Sequence, residues 1–459
     1  MLSISKNKTK WWGTFFSNPA RVIVCSFALL ILLGTFLLML PISSRSGQFT
    51  SFLEALFTAT SATCVTGLVV VDTFTHFSTV GQLVILMLIQ LGGLGLVTFA
   101  TFFNIAIRKR IGLKSMYLAQ ESVSSDSMYD VGHLIKMIFA ITFVIEFIGA
   151  LILMTVFVPR YHAAGLFISI FLSVSAYCNA GFDILGFEGP FSSLVHYQDN
   201  PVVLITIMAL IICGGLGFIV WQDLYHFRQR KRLTLHSKIV LCCTAGLILL
   251  GALAMGIFEW HNPRTIGRME PAEKVLNCFF MSVSARTAGF NAVPLEHLSG
   301  TSKLLQVVLM FIGAAPGSTG GGIKITTAYV LVMTVICVIR GKNDTIIGHR
   351  KVDKSVVYKA MGVTSMAVLA VCISSATIFF TSHGGIFFSE IDALFESVSA
   401  FGTVGLTCGI TGVANTASRI VLILTMFLGR VGPVSLALSL AMRPQDKNTV
   451  MPEAKIMVG

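Results

Sequence analysis

The chain has 459 residues, of which 54% are hydrophobic and 12% charged, and its mean hydropathy is +0.82. Soluble proteins carry about 25% charged residues, so this composition leaves too little polar surface to cover a globule and excludes an ordinary soluble enzyme. Apolar runs long enough to cross a bilayer recur along the chain and predict an all-α membrane protein. These runs are Val22 to Leu40, Leu83 to Ile107, Met137 to Val158, Val202 to Trp221, Ile239 to Phe258, Ala360 to Phe380 and Ile420 to Met442.

The net charge of +12 reflects membrane topology and does not indicate a nucleic-acid partner. Of the 33 Lys and Arg residues, 23 lie in stretches that an even number of membrane crossings returns to one side. By the positive-inside rule this side is the cytoplasm, so both termini are predicted to be cytoplasmic. The run from Val22 is too long for a signal peptide and predicts a retained first helix. The basic stretches are 1–21, 104–136, 222–238, 340–359 and 443–459.

A six-residue pattern, Phe-x-(Ala/Ser)-(Thr/Val)-Ser-Ala, occurs four times, and we refer to it as the repeated motif. Its first residues are 114, 109 and 115 residues apart, and each copy is followed by a glycine and a large apolar residue. This regularity indicates an internal fourfold repeat. The copies are Phe57 to Ala62, Phe171 to Ala176, Phe280 to Ala285 and Phe395 to Ala400, followed by Gly67, Gly181, Gly289 and Gly405.

Each repeat has the same order: a long apolar segment, a short segment ending in the motif, a glycine-containing stretch and a second long apolar segment. A short segment of about 10 to 14 residues covers roughly half a bilayer as a helix, so it must enter the membrane and turn back. We therefore predict eight spans and four re-entrant pore helices around one pore. The predicted repeats are 22–107, 131–222, 237–340 with a broken second span, and 354–442.

The stretches that follow the motifs are candidate cation ligands. Re-entrant backbone is tolerated at membrane depth only where it is buried or lines a water-filled cavity. Glycine permits the dihedral angles that aim successive carbonyls in one direction, and rings of carbonyls replace the hydration shell of a monovalent cation. A single copy would equally fit a helix-packing site of small residues, but four equivalent copies favour a selectivity filter. The predicted filter residues are Val65, Thr66, Gly67, Asn179, Ala180, Gly181, Thr287, Ala288, Gly289, Thr403, Val404 and Gly405, with the third register open by one residue.

With four helix, pore-loop, helix units and one glycine per loop, the chain resembles the Trk/Ktr/HKT superfamily of potassium transporters over residues 20 to 445. The short C-terminus and the lack of additional N-terminal helices are most similar to the membrane subunit of Ktr systems. The resemblance implies a potassium pore in a bacterial plasma membrane and a homodimer. It also implies a cytosolic ring of regulatory subunits, which would bind a nucleotide. Plant members with Ser at the first filter glycine prefer sodium, so Gly67 favours potassium.

The second span of the third repeat contains a candidate gate. Residues 303–340 would extend about 57 Å as one helix against a bilayer core of about 30 Å. The glycines and the proline in its middle break a helix, and a loop there resembles the intramembrane gating loop of the Ktr family. A flexible kink without a gating role is the alternative, whereas a P-loop is excluded because Ile323 occupies the lysine position. The predicted gate comprises Gly313, Pro316, Gly317, Ser318, Thr319, Gly320, Gly321, Gly322, Lys324 and Arg430.

Three further features carry expectations. Arg430 lies far from either end of its predicted span and is expected to line the pore beneath the filter, with pairing to Glu146 as the alternative. Arg286 is expected to tie the third filter loop to its pore helix. The glycines of 92–95 and 214–217 fit either helix packing or bends, and the sequence does not choose between them.

The function that these features predict is channel-like uptake of monovalent cations. The alternative is an alternating-access, sodium-coupled cation carrier, for which internal repeats are also typical. An enzyme is not supported, because no catalytic constellation recurs at a common depth. We expect no disulfide framework, no resident metal site and no cofactor in the chain, with potassium in the pore and membrane lipid around it.

Overall fold

The computed structural model describes residues 19–106, 120, 131–381, 389–433 and 436. Within these residues the regular secondary structure is helical, apart from one antiparallel hairpin of Ile346–Ile347 and Arg350–Lys351. The predicted all-α class is therefore confirmed. Several predicted segments lie mostly or wholly outside the described residues: the two termini, 1–21 and 443–459, the basic stretch 108–114, and the end of the fourth repeat after residue 433.

Four helices in the described residues are long and apolar enough to cross a membrane by themselves. They have 21, 31, 25 and 28 residues, and each is the first helix of a predicted repeat. Their outward faces expose large apolar side chains, such as Leu29 at 66% and Phe36 at 62%, which is the surface that lipid contact requires. These first helices are Pro19–Met39, Val131–Tyr161, Leu235–Glu259 and Lys354–Thr381.

Four shorter helices, which we call the motif helices, carry the repeated motif. Their 13 to 15 residues correspond to about 20 Å, too short to cross the bilayer core. Capping interactions fix three of their starts: Ser389 with Asp392 and Glu270 with Glu273 form capping boxes, and the Ser51 hydroxyl accepts from the Glu54 N–H. The motif phenylalanines are wholly buried. The motif helices are Phe52–Cys64, Ala163–Tyr177, Pro271–Ser284 and Glu390–Gly402.

The second helices of all four repeats are interrupted, and in repeats one and two the breaks fall within the glycine runs 92–95 and 214–217, for which the sequence left bends and helix packing open. The breaks in repeats one, two and four fall at Gly95, Gly217 and Gly432, whose φ angles are 81°, 88° and 89°. A helix cannot continue through such a residue, because its φ lies in the left-handed half of conformational space. The helix pair of the second repeat bends by 93°. The second helices are Thr79–Leu94 with Leu96–Ala106, Pro201–Gly215 with Phe218–Arg230, Gly300–Phe311 with Ile325–Ile339, and Thr416–Val431.

Short helices connect these elements. Most lie in segments between a motif helix and the second helix that follows it, so they sit at the same end of the repeats as the glycine-containing stretches. They are the α-helices Thr73–His76 and Ile410–Val413 and the 3-10 turns Pro41–Ser43, Val195–Tyr197 and Leu295–His297.

Candidate functional site

The stretch after each motif helix follows the same backbone path in all four repeats; we call these stretches the glycine loops. In each, a residue with φ between 49° and 64° is followed two positions later by a glycine with φ between 68° and 94°. The third loop shares the spacing of the others, so its register is the one starting at Thr287. The left-handed residue and the glycine are Val65 and Gly67, Asn179 and Gly181, Thr287 and Gly289, and Thr403 and Gly405.

The four loop glycines form a closed ring. A Cβ atom on Gly181 would lie 2.7 Å from the Ala288 carbonyl oxygen and 2.9 Å from the Gly289 Cα, so the second and third loops are in direct contact. The other three glycines make the equivalent approach to the carbonyl that precedes the next glycine. The remaining contacts are Gly67 with Ala180, Gly289 with Val404, and Gly405 with Thr66.

The motif serine holds each glycine loop to its own helix. The Ser61 and Ser399 hydroxyls each accept from the loop glycine N–H at 3.1 Å. In the other two repeats the serine donates to the carbonyl after the glycine: Ser175 to Phe182 at 2.7 Å, and Ser284 to Phe290. These bonds explain why the serine recurs in every motif. They satisfy backbone N–H and carbonyl groups of a buried loop that lies outside any helix or sheet.

The glycines of the second helices prove to serve both of the roles that the sequence left open. Gly95 and Gly217 are bends, whereas Gly92 and Gly214 pack directly on the end of a motif helix. An added Cβ on Gly92 would collide with the Thr63 carbonyl, and the same holds for the pairs Gly214 with Tyr177 and Gly429 with Phe401. In each pair the carbonyl lies four residues before the loop glycine, so the packing is equivalent in these three repeats.

This packing predicts that Gly92→Ala destabilises the protein by about 1 to 3 kcal/mol, the usual range for an overpacked site. The colliding atom is backbone and cannot rotate away. Gly362→Ala is the matched control, because Gly362 also lies within a helix but has open space where the Cβ would lie. Thermal unfolding in detergent should show a lower midpoint for Gly92→Ala and an equal or higher one for the control. Equal midpoints for both variants would contradict close packing at Gly92.

Residues 312–324, which we call the central loop, lie against the starts of three glycine loops, where the motif helices end. The Thr319 hydroxyl donates to the Tyr177 carbonyl at 3.2 Å, just before the second glycine loop. The Gly321 N–H donates to the Thr403 hydroxyl at 3.0 Å, a direct bond to the fourth. Gly320 packs so closely on Thr287 that a Cβ would collide with its hydroxyl oxygen. The central loop therefore contacts three of the four repeats at the ring.

Backbone bonds fix the central loop further. The Gly317 carbonyl accepts from Phe218 N–H at 2.7 Å, and the Ala315 N–H donates to the Gly215 carbonyl at 3.1 Å, both in the broken second helix of repeat two. The Lys324 ammonium folds back onto the Gly320 carbonyl at 2.6 Å. The loop is thus ordered by specific bonds even though its sequence contains several glycines.

Arg430 joins the central loop to the first repeat. Its guanidinium donates to the carbonyls of Thr319, Gly92 and Gly93, the last at 3.1 Å. Arg430 lies just before the break at Gly432, so it is at the end of a helical segment rather than inside a continuous helix. The alternative of pairing with Glu146 is not what the structure shows: the Glu146 carboxylate accepts from the Gln90 amide at 3.3 Å.

Sequence reasoning missed several side chains around the ring. Glu396 is fully buried in the fourth motif helix and accepts bonds from Thr407 at 2.8 Å and from the backbone and hydroxyl of Thr411. The sequence did contain a signal for Glu396, since this is the one motif copy with an acidic residue at its second position. The side chains of Asn179 and Thr287, chosen for their carbonyls, also bond to one another at 3.1 Å.

Arg286 lies where the third motif helix ends and is 7% exposed. No side-chain hydrogen bond from Arg286 to its pore helix is found among the described residues. Its guanidinium instead borders a small cavity that Thr244 and Ala314 also line.

Comparison with known proteins places this architecture in a family. The chain matches the family model TrkH, described as cation transport protein, over residues 2–451. It is 38% identical over 459 residues to Ktr system potassium uptake protein B of Bacillus subtilis (strain 168), covering 100% of both chains. It is also 38% identical to potassium/sodium uptake protein NtpJ of Enterococcus hirae, covering 96% of this chain and 97% of that one. The crystal structure of the potassium transporter TrkH from Vibrio parahaemolyticus has a similar fold, with a TM-score of 0.70 at 18% identity over 93% of this chain and 85% of that one.

The fold and the comparisons define a multi-pass membrane transport protein rather than an enzyme. The chain belongs to the TrkH family of cation transport proteins. The family resemblance predicted from the repeated motif is therefore confirmed.

Proposed function

We propose that the chain is the ion-translocating subunit of a potassium uptake system in a bacterial plasma membrane. In this proposal the four repeats supply eight spans and four re-entrant pore helices around one pore, with both termini in the cytoplasm. The observation that carries the proposal is the closed ring of loop glycines, each against the carbonyl of the next loop. The names of the relatives, which describe potassium uptake, support it.

Ion selection is assigned to the glycine loops. A left-handed residue two positions before a glycine with positive φ turns the intervening carbonyls toward one side of the backbone. Four such loops around one axis would offer rings of carbonyl oxygens that replace the hydration shell of potassium. The motif serines and the packing of Gly92, Gly214 and Gly429 hold these rings in place.

Gating is assigned to the central loop together with Lys324 and Arg430. The loop contacts the ring and would obstruct ion passage sterically, and Arg430 would add a fixed positive charge below it. The bonds from Arg430 to Thr319, Gly92 and Gly93 support this role, because they connect the loop to a helix of a different repeat. Breaking these bonds would release the loop.

Regulation is assigned to partners of this chain. We propose a homodimer that docks on a cytosolic ring of nucleotide-binding regulatory subunits, with no nucleotide bound by the chain itself. The name of one relative includes "Ktr system", which supports a multi-component assembly. The basic stretches 228–232 and 340–359 would face this ring, with lipid headgroups as their alternative contact.

A carrier remains the second candidate, and one observation favours testing it: the name of the Enterococcus hirae relative includes sodium as well as potassium. An alternating-access, sodium-coupled carrier would turn over slowly and require sodium, whereas a pore conducts potassium down its gradient without it.

The experiment that tests the proposed function is ion uptake by the purified protein in liposomes, with and without a regulatory partner. We expect potassium uptake that does not require sodium and that rises when the partner and its nucleotide are added. Strict dependence on sodium would favour the carrier, and the absence of cation uptake under all conditions would contradict both functions. Full activity without any soluble protein would contradict the regulatory ring.

A further inference from the structure

Arg286 is a buried cation that the proposed mechanism does not use. It directly precedes Thr287, the left-handed residue of the third glycine loop, and is 7% exposed. The ion pairs found among the described residues are Arg160 with Glu188, Lys303 with Asp392 and Lys351 with Asp344, so none of them neutralises Arg286. A buried guanidinium without hydrogen-bond partners is energetically costly, and its surroundings must therefore supply some.

Two polar groups without partners border the same cavity. The Nε atom of Arg286 and the hydroxyl oxygen of Thr244 are both buried and form no hydrogen bond with any residue that the structure describes. Thr244 belongs to the first helix of the third repeat and is 6% exposed. The rest of the cavity is lined by apolar side chains, by Gly215 and by Ala314 of the central loop. The Ala315 N–H donates to the Gly215 carbonyl at 3.1 Å, which joins the central loop to the second repeat beside the cavity.

The size of the cavity limits what it can hold. The part that admits the centre of a water molecule is only about 10 Å³. This is close to the minimum that one water requires, and it leaves no room for a hydrated ion. One water can accept from the Nε–H group of Arg286 and bond to the Thr244 hydroxyl, satisfying both groups together.

We infer that this cavity is a binding site for a single ordered water that holds the Arg286 guanidinium behind the third glycine loop. Arg286 is then a positioning residue: the water bridge holds its guanidinium next to Thr244, in the first helix of the third repeat. Without the bridge the guanidinium is free to adopt rotamers that bring it closer to the ring, where it would repel potassium. The site therefore supports the cation affinity of the third loop, a consequence that depends on the proposed function.

The test uses two substitutions at Thr244 in the full-length protein. Thr244→Val keeps the shape of the side chain but removes the hydroxyl, whereas Thr244→Ser keeps the hydroxyl. In nanodiscs, a density map that resolves waters should show one water between Arg286 and residue 244 in the natural protein and in Thr244→Ser, and none in Thr244→Val. This arm does not depend on transport, so it remains decisive if the proposed function fails.

The second arm measures potassium uptake in liposomes per folded molecule. Thr244→Val should raise the half-saturating potassium concentration threefold or more with little change in the maximal rate, and Thr244→Ser should match the natural protein. A purely structural role would lower the amount of folded protein without this change in affinity. The inference is overturned if the map shows an empty cavity with the guanidinium bonded directly to carbonyls, or if the Val and Ser variants behave alike in both arms.

Discussion

Deletion of Ser318 to Gly320 is expected to raise potassium flux through the resting protein by about tenfold or more and to weaken its dependence on a regulatory partner. The deletion removes the carbonyl that Arg430 binds, the hydroxyl that bonds to Tyr177 and the carbonyl that Lys324 binds. Bonds to charged groups contribute about 1.5 to 3 kcal/mol each, and 1.4 kcal/mol corresponds to a tenfold change in an equilibrium. Flux of potassium or rubidium into liposomes, divided by the amount of folded protein, measures the effect.

Substitutions at Arg430 separate the two components of the same gate. Arg430→Ala removes both the charge and the bonds to Thr319, Gly92 and Gly93, so it should raise resting flux in the same direction as the deletion. Arg430→Lys keeps the charge, but a single ammonium cannot reproduce the planar fork that reaches two helices and the loop. Flux that rises in Ala and not in Lys would show that charge is the main barrier. A rise in both would show that the bonds hold the loop.

The control for these gate variants is Ser318→Ala. The Ser318 hydroxyl donates to the Ala315 carbonyl within the loop at 2.6 Å and bonds to no other repeat in the part of the chain that the structure describes, so its loss should leave the flux nearly unchanged. Normal expression with unchanged flux in both the deletion and Arg430→Ala would contradict a gating role for the loop and the arginine alike.

Replacement of Gly67 by Ser is expected to abolish selective, high-affinity potassium uptake. A Cβ at this position would collide with the Ala180 carbonyl of the neighbouring loop, and the φ of 91° is itself unfavourable for any residue with a side chain. The collision involves backbone, so only a displacement of the ring relieves it. We expect the half-saturating potassium concentration to rise at least tenfold while sodium passage rises or is unchanged, as measured by competitive uptake of both ions.

Gly409→Ser is the matched control for the filter substitution. Gly409 has nearly the same φ, 93°, and follows the fourth glycine loop, but a Cβ there meets nothing within 4 Å. Both variants therefore carry similar backbone strain, and only Gly67→Ser collides with another loop. If the two variants transport potassium with equal affinity, Gly67 does not shape the ion path.

The parts of the structure that sequence predicted are those that recur. The motif helices and the loop glycines occur four times at nearly equal spacing, and each copy supports the interpretation of the others. The interruption after Phe311 was also predictable, because Pro316 and the surrounding glycines cannot continue a helix. In these cases the local sequence is sufficient, since the residues themselves restrict the backbone.

The parts that sequence did not predict depend on contacts between distant segments. Gly95, Gly217 and Gly432 lie in apolar runs that a continuous helix also fits, and only the packing of the neighbouring glycines against the motif helices shows why the break occurs there. Arg430 bonds to Gly92, which is 338 residues away in the chain. A short hydrophobic pattern contains no information about such a partner, because each helix satisfies its own periodicity without it.

Side-chain roles within the glycine loops show the same limit. Thr403 was predicted as a filter residue for its carbonyl, and the structure adds a hydroxyl bond to the central loop. This bond connects the proposed filter directly to the proposed gate. Nothing in the sequence around Thr403 indicates it, because its partner, Gly321, contributes only a backbone N–H.

The most direct test of the proposed mechanism is the position of a potassium substitute in the ring. Crystals of the protein grown with thallium, whose anomalous scattering locates it without ambiguity, should show a peak on the axis between Gly67, Gly181, Gly289 and Gly405. This peak should be surrounded by carbonyl oxygens of the four glycine loops and should weaken when excess potassium is added. A ring without thallium, with the ion bound elsewhere in the membrane part of the chain, would contradict ion selection by the glycine loops.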